Sequence, residues 1–240
     1  MINISVNKIG TLVVPSNVLQ ILAMTEGLTQ VEITRLDEIA EKVYILEYDR
    51  FFDFEAGQIV KLAWPGQDKP RLYSIASGEK DSKIQILFNV VGDGYLTPLM
   101  AGLRPGNTLL SSKALGKFTG TEGPAWWIAQ GTGIAPFASM FRSGQTGSKK
   151  LIHGGRSIRT FYFQDEFMAK MGTDYVRCSS REAGEGLFPG RVTDYIRQFK
   201  ELPADSLYYL CGSAEMVVET RDLLIERKVP FSRIVSEIYF

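Results

Sequence analysis

At 240 residues, with 45% hydrophobic and 22% charged side chains, the chain can bury a sizeable core, and its composition excludes a fibrous or disordered polypeptide. Lys plus Arg and Asp plus Glu both total 27, so no global basic excess favours a nucleic-acid partner and any recognition of anions has to be local. The start, MINISVNKIG, lacks a basic cluster followed by an apolar run, and no segment approaches the roughly 20 apolar residues that cross a bilayer, so a cytoplasmic protein without a membrane span is expected.

In residues 1–30, Ile2, Ile4 and Val6 alternate, and Ser16 can cap a short helix carrying Val18, Leu19 and Leu22; no role follows for this segment. From Val31 to Leu110 short strands are broken by turn residues, at 31–36, 43–48, 58–63, 71–76, 84–90 and 107–111, with a short helix over Leu99 to Leu103. That pattern predicts a β-barrel over residues 31–120. After about residue 124 it changes to hydrophobic strand, glycine-rich bend and amphipathic helix, first in Trp126 to Gln130 followed by Gly131 to Phe141. The alternation recurs at Lys150 to His153 with a helix near 160–170, at Asp174 to Cys178 with a helix near 191–199, and at Leu207 to Cys211 with a helix near 214–227. Residues 121–240 are therefore expected to form an α/β domain on a parallel sheet, with ligands at the carboxyl ends of its strands.

Within the first half, Arg71-Leu72-Tyr73-Ser74 puts Arg71 and Tyr73 on one face of an extended segment and turns Ser74 away. A guanidinium fork suits a pyrophosphate, a flat ring suits a flavin, and a hydroxyl can hydrogen-bond a flavin nitrogen, although an ordinary edge strand could carry the same residues. Gly92 to Thr97 follows an apolar strand whose Asn89 faces solvent or ligand. Either Gly94 and Thr97 finish a phosphate site at a helix opening, or Thr97-Pro98 simply starts that helix.

In the second half, Gly131, Thr132, Gly133 and Pro136 form the string GTGIAP between a strand and a helix, where small residues let backbone approach a dinucleotide. Arg156 follows one strand candidate and Arg181 the next, with Arg191 at the helix after it, and the three could surround a phosphate dianion, with Ser180 beside Arg181. His153, the single histidine, reads as a structural strand-end residue because no second histidine or carboxylate partner is evident. Cys211-Gly212-Ser213 ends an apolar strand, so the thiol could stand near a reacting ring. Cys178 and Cys211 make neither a disulfide framework nor a metal pair, and no four-cysteine set exists for an iron–sulfur cluster. No metal site is expected.

On Arg71-Leu72-Tyr73-Ser74, Gly94 to Thr97, GTGIAP, Ser180-Arg181, Cys211-Gly212 and the aromatic ending Tyr239-Phe240, the sequence resembles the ferredoxin–NADP reductase superfamily, and within it the bacterial ferredoxin or flavodoxin reductases, over about residues 31–240. The resemblance implies an FAD-binding β-barrel domain followed by an NADP-binding α/β domain. It implies that Arg71 binds the FAD pyrophosphate, Tyr73 packs on the isoalloxazine, Ser74 approaches its N5, and Gly94 and Thr97 complete the phosphate site. Ser180 and Arg181 mark preference for NADP(H) over NAD(H), with Arg191 as helper and Arg156 as a weaker one. Cys211 lies beside the nicotinamide, Tyr239 covers the second flavin face, and Phe240 packs on the adenine side. The implied reaction is hydride transfer between nicotinamide and flavin coupled to a separate ferredoxin or flavodoxin. A reductase of free flavins or quinones, or a reductase component of a multi-protein oxygenase or electron-transfer complex, remains the alternative.

Overall fold

The computed structural model describes residues 5–6, 12–13, 27–66 and 69–239. Strands β1 (Ser5–Val6) and β2 (Leu12–Val13) pair antiparallel. The expected alternation of Ile2 and Ile4, the helix capped by Ser16, and Phe240 lie outside the described residues.

The first large sheet is built from β3 (Leu28–Ala40), β4 (Val43–Asp49), β5 (Ile59–Ala63), β6 (Arg71–Ser74), β7 (Lys83–Asn89) and β8 (Thr108–Ser112), with α1 (Leu96–Ala101) before the last strand. Its order is β6-β5-β8-β3-β4-β7 and every pairing is antiparallel. Strand β3 runs for 13 residues, pairing with β8 through its first half and with β4 through its second. A register shift between Ile33 and Arg35 marks the irregularity at which one strand can pass from one wall to the other. The sheet's two ends meet through an isolated bridge between Ile75 and Ile86, which closes the barrel and leaves Arg71–Ser74 paired on one side only. Ile33, Leu46, Val60, Leu62, Ile75, Ile84 and Ile86 fill the interior. The Tyr48 hydroxyl is tolerated among them because it shares a hydrogen bond of 2.7 Å with the Ser111 hydroxyl.

The second sheet is wholly parallel. It comprises β9 (Ala125–Gln130), β10 (Lys149–Gly155), β11 (Tyr175–Ser179), β12 (Leu187–Pro189), β13 (Leu207–Ser213) and β14 (Ile234–Tyr239), in the order β12-β11-β10-β9-β13-β14. Its helices are α2 (Ala135–Arg142), α3 (Gln164–Met171), α4 (Val192–Arg197) and α5 (Ala214–Glu226). The chain passes from β9 to β10 on one side and from β13 to β14 on the other. The carboxyl ends of β9 and β13 thus flank a topological switch point, the place where open α/β sheets usually bind ligands.

The expected barrel and α/β sheet are both present, with three local differences. The short helix covers Leu96–Ala101 instead of Leu99 to Leu103, so Thr97 and Pro98 lie inside its first turn and neither caps nor starts it. The helix near 160–170 is split: a 3-10 turn over Ile158–Thr160 comes first, and Phe163, at a left-handed φ of 60°, separates it from α3. Strands β12 and β14 were not anticipated, because β12 has three residues ending in proline and β14 interleaves Ser236 and Glu237 with its apolar residues.

The two sheets share one apolar cluster. Val43, Ile45, Ala56, Ala76 and Leu87 of the barrel pack with Phe118 of the connecting segment and with Trp127, Phe137, Met140, Phe141 and Tyr209 beyond it. At roughly 1.5–3 kcal/mol per fully buried large side chain, this cluster dominates the union of the halves. Gly57 is pinned in it: its φ is +98°, and an added Cβ would stand 2.1 Å from the Phe118 carbonyl oxygen.

Candidate functional site

Strand β6 presents Arg71 and Leu72 to solvent, Tyr73 half-buried and Ser74 buried. The Arg71 guanidinium touches only the neighbouring Pro70 carbonyl, at 3.4 Å, among the described residues. Tyr73 packs edge-on against Phe88 at 6.5 Å, and burial pushes its hydroxyl pKa up to about 12 despite Arg71. Ser74, buried although Leu72 on its own face is exposed, crosses to the other sheet: its hydroxyl donates to Glu237 Oε2 at 2.9 Å.

Glu237 was absent from the residues singled out in the sequence. It sits on β14 in register with Cys211 of β13, so it and Cys211 share the barrel-facing side of the parallel sheet. Burial pushes its carboxyl above the usual range, and the Ser74 hydrogen bond pulls the other way. The available signal was a lone carboxylate in the mostly apolar stretch Ile234 to Tyr239. Tyr239 closes β14 opposite Ser213.

The loop before α1 is folded on itself. The Thr97 hydroxyl accepts from the Val91 amide at 2.9 Å, and Gly94 donates to the Val91 carbonyl, also at 2.9 Å. An added Cβ on Gly94 would meet that carbonyl at 3.0 Å, so the turn needs its small residue. Among the described residues no acceptor takes the Thr97 hydroxyl proton.

At the switch point two glycine-bearing loops meet. Gly131, with φ +54°, opens a 3-10 turn over Gly131–Ile134 that leads into α2, where Pro136 occupies the first turn without needing a donor. Thr132 is half-buried on this turn. Gly133 lies against the other loop so closely that an added Cβ would stand 2.3 Å from the Cys211 carbonyl oxygen. Gly212 is likewise hemmed in, by Met216 and Gln130. The Ser213 hydroxyl then donates to Gln130 Oε1 at 2.6 Å, tying the end of β13 to the end of β9.

His153 lies fully buried beneath this loop. The Gly131 carbonyl can only accept, so the Nε2 atom 3.3 Å away carries the proton, and Nδ1 accepts from the Tyr175 hydroxyl at 3.1 Å. Burial lowers its pKa to about 4, below the ordinary 6.5. The unfolded chain therefore binds a proton that the folded chain refuses between those values. Stability should be full above about pH 6.5 and fall as the pH drops toward 4, by up to ~1.4 kcal/mol per pH unit from this group. Urea unfolding of the parent and of His153→Gln at pH 7 and 5 checks this: the parent should lose more on acidification, and equal losses would remove the assignment.

The three arginines are not equivalent. The Ser180 amide donates to the Gly155 carbonyl at 3.0 Å, bringing the ends of β10 and β11 together beside exposed Arg156 and Arg181. Neither guanidinium has a hydrogen bond or ion pair among the described residues. Arg191, which precedes α4, instead reaches α5 and pairs with Glu215 and Glu219, each at 3.2 Å. Arg156 and Arg181 thus stand at the ends of neighbouring strands with exposed side chains, whereas Arg191 is already paired with carboxylates.

Among the described residues no cluster of His, Cys, Asp and Glu could hold a metal ion, and no helix is long and apolar enough to cross a membrane. Cys178 is buried, its thiol pushed up to about 12.

The chain is similar to several known proteins. A family described as oxidoreductase NAD-binding domain matches residues 127–222. Ferredoxin–NADP reductase B of Sorangium cellulosum is 30% identical over 193 residues, covering 72% of this chain and 79% of that protein. The reductase component of propane 2-monooxygenase from Mycolicibacterium goodii is 28% identical over 209 residues, 78% of this chain, and the chain spans 60% of that relative's length. A ferredoxin NADP+ reductase from Neisseria gonorrhoeae, solved with bound FAD and NADP, superposes with a TM-score of 0.80 over 89% of this chain and 99% of that one, at 23% identity.

Proposed function

This chain belongs to the ferredoxin/flavodoxin–NADP reductase superfamily, and we propose that it is a flavoprotein that holds one FAD and moves electrons between NADP(H) and a separate ferredoxin or flavodoxin. The observation that carries this reading is the Ser74 to Glu237 hydrogen bond, which joins the expected flavin strand to the end of the dinucleotide sheet beside Cys211.

The residues present fit both cofactors. Strand β6 leaves one edge unpaired with Arg71 exposed and Tyr73 half-buried, and Gly131 has open space where a side chain would stand. We divide the chain accordingly into residues 31–120 for FAD and 121–240 for the nucleotide. When bound, FAD supplies a two-electron acceptor for the nicotinamide and a one-electron donor for the carrier.

Arg71 holds the FAD pyrophosphate as a rigid fork, with Gly94 admitting the backbone and Thr97 donating its hydroxyl proton. Tyr73 and Tyr239 flank the flavin, and Phe240 packs on the adenine side. Gly131, Thr132, Gly133 and Pro136 cradle the dinucleotide phosphates, while Gly212 and Cys211 form the floor against which the nicotinamide rests. Ser180 and Arg181 meet the 2′-phosphate, with Arg156 beside them and Arg191 contributing weakly. Ser74 keeps its hydroxyl oriented by Glu237, whose raised carboxyl can hold or release a proton at Oε2. Orientation of two bound reactants supplies most of the rate.

The purified chain should be yellow, NADPH should bleach it, and mass analysis of the released cofactor should give FAD. Stoichiometric FMN with no FAD would overturn the pyrophosphate assignment. The identity with a propane 2-monooxygenase reductase component supports a second reading, a reductase component of an oxygenase complex. Turnover with purified ferredoxin, flavodoxin and free FMN separates the readings; faster turnover with FMN than with either protein would sink the carrier assignment.

A further inference from the structure

Helix α2 connects the two cofactor sites directly. It begins at the Gly131–Ile134 turn and ends at Arg142, so its eight residues form a rod about 12 Å long. Arg142 then leaves its own domain. Its Nη1 donates to the Ala76 carbonyl at 2.8 Å and to Gln85 Oε1 at 2.6 Å, both on the barrel. Ala76 lies two residues beyond Ser74 on the same stretch of chain, and its own amide donates to the Gln85 carbonyl. The remaining donors are held from behind: Nε and Nη2 donate to the two carboxylate oxygens of Glu166 on α3, at 2.9 and 2.5 Å. The Phe163 ring lies 4.5 Å from the guanidinium carbon.

Such an arrangement exceeds what adhesion requires, since the shared apolar cluster already unites the halves. A guanidinium with donors committed in two directions, and a ring beside it, has one orientation available. The next residue repeats the crossing, with the Glu79 amide donating to the Ser143 hydroxyl at 3.0 Å. Gly78 permits this approach: an added Cβ would lie 3.2 Å from the Arg142 backbone. The far end of α2 is thereby fixed on the segment that follows Ser74, while its near end carries the dinucleotide loop.

We infer that Arg142 is a positioning residue that sets the distance and angle between the nicotinamide loop and the flavin strand, through α2 as a rigid link. The inference rests on the two-cofactor reading above. It distinguishes Arg142 from an ordinary interface contact by where it acts: on the transfer geometry and not on the affinity for either cofactor.

The test uses the FAD-loaded protein with NADPH, following flavin bleaching by stopped flow and the long-wavelength charge-transfer absorbance of reduced nicotinamide stacked on flavin. Arg142→Met keeps the aliphatic stem and removes every donor. It should slow bleaching about tenfold, because angstrom-scale misplacement of reactants is that costly. The charge-transfer absorbance should weaken, while NADPH affinity stays within about twofold and FAD content is unchanged. Glu166→Gln, which never touches the barrel, should give a smaller loss of the same kind, and serves if Arg142→Met does not fold. Unchanged bleaching and absorbance with only a lower melting temperature would reduce Arg142 to a structural clamp and overturn the inference. A rate loss matched by lost NADPH affinity would overturn it equally. A parent that NADPH does not bleach would defeat the functional reading, and this inference with it.

Discussion

Replacing Ser74 by alanine should slow NADPH-dependent flavin bleaching by about 10²-fold or more, within the range removed with a positioned proton-transfer group, while NADPH affinity changes little. Ser74 is 2% exposed and its hydroxyl donates to Glu237 at 2.9 Å. Alanine removes the hydroxyl proposed to approach the flavin and also leaves the Glu237 carboxyl without this partner. The sign of the second effect is fixed: the Ser74 hydrogen bond lowers a pKa that burial has raised, so its loss raises the pKa further. The acidic limb of the rate profile should therefore move to higher pH in Ser74→Ala and disappear in Glu237→Gln, whose side chain cannot titrate. Stopped-flow bleaching between pH 5 and 9 reads both. A Ser74→Ala protein that bleaches at the parent rate would end the assignment of Ser74, and a Glu237→Gln protein with the parent's profile would end that of Glu237.

The second large effect falls on the choice of nucleotide. Arg181→Ala should reduce kcat/KM for NADPH by about tenfold to over a hundredfold and barely alter that for NADH, since a charge-assisted hydrogen bond contributes roughly 1.5–3 kcal/mol. Arg181 is exposed and has no acidic partner among the described residues, so its whole charge is available to a 2′-phosphate. Arg191 is different. Its side chain is 58% exposed and already paired with Glu215 and Glu219, and exposed pairs exchange for another anion at a net gain of only about 1 kcal/mol or less. Arg191→Ala should accordingly cost NADPH use less than Arg181→Ala does. Equal loss with NADPH and NADH in Arg181→Ala, or a larger loss in Arg191→Ala, would defeat this ordering.

What could be read in the sequence was whatever depends on local period and turn chemistry. The apolar stretch Ile84 to Phe88, the glycine bend after Gln130 and the apolar run before Cys211 specify their own conformations, and the structure places strands and a loop there. The pleat also sets Ser74 apart from the face of Arg71 and Tyr73, but its burial was not legible, since Leu72 on the same face is exposed. Glu237 was not legible either, because its significance depends on two long-range facts: the register of β14 on β13 and the meeting of β14 with β6 across 163 positions of chain. The engagement of Arg191 by α5 was hidden likewise, since it depends on α4 and α5 being neighbours. Arg142 was not singled out in the sequence; only the fold reveals that it reaches past its helix to the Ala76 carbonyl.

The one-sided pairing of β6 has a consequence for solubility. A strand with a free row of amide and carbonyl groups invites a strand from another molecule, and sheet proteins suppress this with brevity, proline and charge. All three are present: β6 has four residues, Pro70 precedes it, and Arg71 stands exposed at its start. Yet Leu72 is 57% exposed on the same edge, so the protection is partial. The edge proposed to take the cofactor is thus also a point of vulnerability to self-association. Chain stripped of flavin should aggregate sooner than loaded chain, and a second lysine or arginine at position 72 should delay it.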